Sequence, residues 1–148
     1  TIRATVIGAG CHSAQLSGST VFHQNVPFPL KNIPVVSLTD ISRDTIRREL
    51  SKQEDSAILA FPGLASPGYR EVAAMAEEIA AGTGGNALIC LEQDMAKALG
   101  QALALRLGCN AQILCIDRVK VSEGSYLDVG APVGPALPVV VKTLVLGK

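Results

Sequence analysis

The chain has 148 residues, with Lys plus Arg and Asp plus Glu equal at 13 each and no long block of one sign. That length suits a single domain, stable without disulfides or a structural metal, and the balanced charge speaks against nucleic-acid binding. No run of about 18 apolar residues exists, which excludes a transmembrane helix, and no signal peptide is visible.

Along the chain, residues 4–7 and 14–22 read as two strands joined by a glycine turn at Gly8-Ala9-Gly10, and their nearness predicts a hairpin. Prolines 27, 29 and 34 punctuate a connection into a third strand at 34–38, with Pro34 suited to a strand's first residue. Lys31 and Asn32 read as part of a turn between prolines. Thr39 or Asp40 can cap a helix to about residue 52, with Ile46 and Leu50 on one face. Residues 56–61 form a continuous apolar run of the kind buried on both faces of a parallel sheet.

A proline and glycine loop over 62–68 leads to a helix whose Val72, Met75, Ala76 and Ile79 share a stripe and which Gly82 can terminate. Residues 86–91 repeat the buried-strand pattern. Asp94 then caps a helix carrying Met95, Leu99, Ala102 and Leu103, closed by Gly108. Gly100 inside that helix costs about 1 kcal/mol against alanine, so a close approach, by default helix on sheet, is expected there. Residues 111–116 make another buried strand, and the tail to 146 reads as β structure.

The composition bears on the interior. Apolar residues make up 48% of the chain, aromatics only 3%, and Trp is absent, so Ala, Val and Leu must fill the core by close helix-on-sheet packing. The four cysteines, Cys11, Cys90, Cys109 and Cys115, form no C-x-x-C pair and have only His12 and His23 beside them, which does not make a zinc site. Three of them sit in or beside apolar runs, as buried free thiols do, and this points to a reducing, cytoplasmic setting. The chain opens on Thr1 inside a strand pattern, as expected of a segment of a longer protein.

The order β-β-β-α-β-α-β-α with a β-rich ending predicts an α/β fold: a strand meander, then a mixed sheet with helices on both faces. Right-handed crossovers make its first, fourth and fifth strands parallel. The carboxyl ends of those strands share one edge, where ligands gather. There Gly8-Ala9-Gly10, Pro62-Gly63 and Glu92-Gln93-Asp94 would converge.

This order and these loops resemble one half of the actin-like ATPase fold, a ribonuclease H-like architecture, over residues 4–107. The resemblance implies a phosphate-binding turn at Gly8, Ala9, Gly10, Cys11 and His12, and an adenosine loop at Gly63, Leu64 and Gly68. The superfamily usually carries an aspartate two residues before the first glycine of that turn, where this sequence has Val6. Several separated motifs are similar to one family within the group: Ile2-Arg3-Ala4-Thr5-Val6-Ile7-Gly8-Ala9-Gly10, Leu16-Ser17-Gly18-Ser19-Thr20, Pro29-Leu30-Lys31-Asn32-Ile33-Pro34, Glu92-Gln93-Asp94-Met95-Ala96-Lys97-Ala98-Leu99-Gly100, Ile116-Asp117-Arg118-Val119-Lys120-Val121 and the run from Pro138 to Val145. They look like the EutA family of ethanolamine-utilization proteins, reactivating factors of ethanolamine ammonia-lyase.

The resemblance implies that the chain, as one domain over 1–148 with an extension over 111–146, is the carboxyl-terminal lobe of a longer two-lobed protein. It also implies ATP and magnesium as cofactors of the whole protein and the lyase and the missing amino-terminal lobe as partners. Cobalamin would be exchanged on the lyase without being bound here, in a cytoplasmic setting associated with a bacterial microcompartment. An ATPase activity would belong to the whole protein, with no complete active site and no catalytic residue in this segment.

Each candidate carries a plain alternative. Gly8 and Gly10 also suit a tight hairpin turn, and the 63–68 loop is also ordinary loop chemistry. Cys11 and His12 adjoin in sequence without an orienting third group, so a nucleophile and base reading is set aside; His12 is left as a phosphate donor or a solvated turn residue. Glu92 and Asp94 could serve magnesium through water, with an ordinary helix cap the first role of Asp94 and any metal duty secondary. At the level of function, the alternative to a reactivase is an actin-fold protein-interaction domain that no longer binds nucleotide. A small-molecule kinase ranks third, since no residue looks like a base for a phosphoacceptor.

Overall fold

The computed structural model describes residues 11–16, 21–119, 121 and 124–143, with the backbone alone described for 11–16 and 143. In chain order the elements are β1 (Cys11–Leu16), β2 (Val21–Gln24), β3 (Leu30–Ser37), α1 (Arg43–Leu50), β4 (Ile58–Phe61), α2 (Tyr69–Thr83), β5 (Ala87–Leu91), α3 (Ala96–Leu107), β6 (Ile113–Ile116), β7 (Ser125–Val129) and β8 (Leu137–Thr143). Every residue of β4 and of β6 is buried, which is why their sequences read as unbroken apolar runs rather than alternating ones.

All eight strands form one mixed sheet in the order β1-β8-β7-β3-β4-β5-β6-β2. Neighbours from β3 through β6 are parallel, and α1, α2 and α3 make the three crossovers between them. The remaining pairings, β1 with β8, β2 with β6, β3 with β7 and β7 with β8, are antiparallel.

An α/β mixed sheet is therefore present, but the meander is not. The run 14–22 divides into β1 and β2, which occupy opposite edges of the sheet, and β3 stands in the middle. Packing and side-chain hydrogen bonds hold β2 where it is. The Gln24 amide donates to the carbonyls of Gly108 and Ala111 at 2.9 and 3.0 Å, and the Asn25 amide donates to those of Cys109 and Ala111 at 2.6 and 3.2 Å. Phe22 lies so close under α3 that a Cβ on Gly100 would run into its ring. The strand candidate at 4–7 lies outside the described residues. The expected fourth and fifth strands are parallel neighbours, β4 with β5, and among the described residues β3 and β6 join the same parallel set.

The helices also lie on one face rather than both. The larger apolar cluster packs α1, α2 and α3 through Ile46, Val72, Ala76, Ile79, Leu99 and Leu103 onto Val36, Leu59, Phe61, Ile89 and Cys115 of the sheet. The second cluster contains no helical residue; it joins Val35, Ile58, Ala60, Cys90, Leu114 and Ile116 to Leu127, Val129, Val139 and Val141. The sheet thus curls so that β7 and β8 cover its own far face. In the described part of the tail, β6, β7 and β8 accordingly belong to the same sheet and core.

Several boundaries shift for local reasons. Ser42, not Thr39 or Asp40, caps α1: its hydroxyl accepts from the Thr45 N–H at 3.2 Å. Asp40 supports it by accepting from the hydroxyls of Ser42 and Thr45 at 3.1 and 2.9 Å. Helix α2 runs past Gly82 and ends at Gly84, which adopts φ +76°; Gly82 is instead where the α2 backbone meets α1, since a Cβ there would come within 2.7 Å of Ile46. Pro34 lies within β3 rather than at its start, next to the point where the strand passes from its β7 partner to its β4 partner. The Lys31–Asn32 segment forms an irregularity in that pairing, fixed by the Asn32 N–H donating to Asp128 at 2.7 Å and by Lys142, which bonds Asn32 at 2.6 Å and pairs with Asp128 at 2.9 Å.

Candidate functional site

Adjacent parallel strands must end at the same edge of a sheet, so β4 and β5 bring their following loops together. The Pro62 carbonyl, first residue after β4, accepts from the N–H groups of Glu92 and Gln93, first after β5, at 3.3 and 3.0 Å. Gly63 follows with φ +83°, a conformation that L side chains rarely adopt. The turn directs the Leu64 N–H to the Met95 sulfur at 3.4 Å. The sulfur fills the space above Gly63, where a Cβ would lie 3.0 Å from it. Gly68 is the N-cap of α2, its N–H donating to Glu71 at 2.8 Å.

The expected convergence is thus half visible. Gly63, Leu64, Glu92 and Asp94 share one edge, and Gly68 begins the helix behind it. Gly8, Ala9 and Gly10 lie outside the described residues. Cys11 and His12 are strand residues on β1, in register with Lys142 and Val141, rather than members of a turn, and three strands stand between β1 and β4 in the sheet.

Asp94 does not cap α3. Its exposed carboxylate pairs with Arg118 at 2.7 Å. Met95 holds the N-cap position, but its side chain makes no capping hydrogen bond. The capping carboxylate comes from Asp117, just past β6, whose Oδ2 accepts from the N–H groups of Met95 and Ala96 at 2.9 and 2.6 Å. Asp117 is 0% exposed, and its Oδ1 has no hydrogen-bond partner among the described residues. Burial pushes its carboxyl above the usual aspartate range, against the pull of the two N–H groups and of Arg118. An acidic side chain directly after a four-residue buried strand was the available signal for it, but the helix it caps lies upstream in sequence, where no local pattern points.

A cavity of about 90 Å³ opens at the same edge, lined by Ser37, Ala60, Pro62, Cys90, Glu92 and Val119 among others. The Cys90 thiol is buried and donates to the Val119 carbonyl at 3.7 Å. Burial, with the charges of Glu92 and Asp117, raises it to about 12, which keeps it a neutral thiol and a poor nucleophile. Cys115 is buried and likewise pushed up, whereas Cys109 is exposed. Among the described residues no three His, Cys, Asp or Glu side chains stand together as a metal site, and no helix is long and apolar enough to cross a membrane.

Comparison with known proteins gives a consistent result. A family model described as ethanolamine utilisation protein EutA matches residues 1–147. The ethanolamine ammonia-lyase reactivase EutA of Salmonella typhimurium (strain LT2) is 35% identical over 158 residues, covering 97% of this chain and 34% of that protein. The protein of the same name from Escherichia coli (strain K12) is 36% identical over the same span and shares. The chain therefore spans about a third of the length of the curated relatives it matches. No solved structure matches it.

Proposed function

Because the chain belongs to the EutA family of ethanolamine utilisation proteins, we propose that it works as part of a reactivating factor for ethanolamine ammonia-lyase. The observation that carries this is the extent of the likeness, which runs along residues 1–147 rather than resting on one glycine motif. In this reading the lyase is the partner, and the factor lets damaged cobalamin leave the lyase and intact cofactor enter. The chain makes protein contacts and binds no cobalamin, and the rest of the longer protein completes the factor.

ATP and magnesium do not fit the described edge as it stands. A cavity of about 90 Å³ is well below the roughly 300–1,000 Å³ of a small-molecule site. The Met95 sulfur occupies the space over Gly63 where a phosphate or ribose would approach. Asp94 is engaged by Arg118, leaving Glu92 as the remaining acidic candidate for a hydrated magnesium ion. These three observations favour the second reading for this edge, a protein-interaction domain that does not itself hold nucleotide.

Binding of purified ethanolamine ammonia-lyase to the immobilised chain, with and without ATP and magnesium, tests both readings. Capture that nucleotide leaves unchanged supports them together. Capture that depends on nucleotide rejects the second, and a folded chain that never binds the lyase rejects the first.

A further inference from the structure

The loops after β4 and β5 belong to different strand-helix units, and nothing in their sequences obliges them to move together. Asp117 joins them. Its Oδ2 holds the Met95 and Ala96 N–H groups, which fixes the position of the Met95 side chain, 3% exposed. The Met95 sulfur in turn accepts the Leu64 N–H and closes over Gly63. The anchor itself is pinned, since β6 ends in fully buried Ile116 and the Val119 N–H returns to the Leu91 carbonyl at the end of β5, 3.2 Å away.

A carboxylate that is wholly buried with one oxygen unpartnered is a costly arrangement. A plain helix cap does not need it, because an exposed Ser or Asp at the N-cap serves equally well. We propose that Asp117 is a positioning residue that locks the Gly63–Leu64 turn and the α3 N-terminus into one unit, with Met95 as the connecting side chain. The lock makes the edge around Leu64, which is 37% exposed, a preformed surface. This holds whether or not the reactivase reading does, since it concerns only the coupling within the chain.

Amide hydrogen exchange on the full chain tests the lock. In Asp117→Ala, exchange at Met95 and Ala96 should rise about ten-fold, as for a lost cap, and Leu64 should rise with them, while Ile89 and Leu114 in the sheet stay protected. Asp117→Asn keeps a carbonyl oxygen for the two N–H groups and should restore slow exchange at all three sites. Met95→Leu keeps the volume but removes the sulfur acceptor, and should free Leu64 alone. The proposal is overturned if Leu64 is unmoved in either Asp117→Ala or Met95→Leu, or if Asp117→Asn exchanges as fast as Asp117→Ala. Should Asp117→Ala lose the protection of Ile89 and Leu114, the Asn and Leu variants decide the matter by the same criteria.

Discussion

A methyl group at position 100 has no room, because Phe22 of β2 occupies the space a Cβ would need. Gly→Ala in a helix interior ordinarily gains about 1 kcal/mol, while overpacking a core costs about 1–3 kcal/mol. The packing term wins here, so Gly100→Ala should lower the unfolding free energy by up to about 2 kcal/mol, as read by urea denaturation. A stabilised variant would show that Phe22 yields easily. That Gly100 meets something was legible in the sequence; that it meets Phe22 was not, because the partner lies on a strand whose place is set by long-range contacts. Glu78 provides a second prediction at this scale. Its carboxyl is held at about 2, below the usual 4.5, chiefly by the hydrogen bond from the Arg43 side chain, which donates to Glu78 at 2.9 and 3.2 Å. A depressed folded-state value means that the stabilisation is present above pH 4.5 and is lost as pH falls through about 2. Comparison of wild type with Glu78→Gln across that range should show a stability difference that vanishes at the acid end. Asp117 works in the opposite sense. Its raised value means the native state holds the proton more tightly, so its contribution falls as pH rises through the folded value.

At the scale of elements, buried runs and stripes were readable because their periods are local. β4, β5 and β6 fall within the apolar runs, and Val72, Ala76 and Ile79 are buried on one face of α2. The caps were less readable. Ser42, Gly84 and Asp117 displaced Asp40, Gly82 and Asp94: Asp40 is taken up supporting its near neighbour Ser42, whereas tertiary neighbours decide the other two, Gly82 meeting Ile46 and Asp94 pairing with Arg118. The meander failed for a related reason. Nearness in sequence favours hairpins, but β2 pairs with β6, with Gln24 and Asn25 bonding the turn between α3 and β6, and β1 pairs with β8 instead. The candidate site was legible to the extent that parallel strands dictate it: the loops at Pro62 and Glu92 meet, whereas the carboxylate that holds them follows a third strand. The tail makes a prediction of its own. β7 and β8 supply Leu127, Val129, Leu137, Val139 and Val141 to the second cluster, so removing residues 124–148 should abolish cooperative thermal unfolding and expose a surface that binds a hydrophobic dye. A truncated chain that still melts cooperatively would refute the integral role of the tail.

For the whole molecule, a curled sheet with helices on one face and its own strands on the other leaves the loops at the carboxyl ends of β4 and β5 as a closed, preformed edge. A small cavity, a sulfur-filled turn and an engaged Asp94 suit contact with a protein better than enclosure of a nucleotide. In the proposed reading the protein contacted is ethanolamine ammonia-lyase, and because the chain corresponds to about a third of its relatives' length, the decisive measurement restores the rest. The matching third of the Salmonella typhimurium reactivase is replaced with this chain, and recovery of activity by inactivated ethanolamine ammonia-lyase is followed after the chimera is added. The account predicts recovery well above that of lyase alone. A chimera that folds, shown by a cooperative melt, yet leaves the lyase inactive would contradict it.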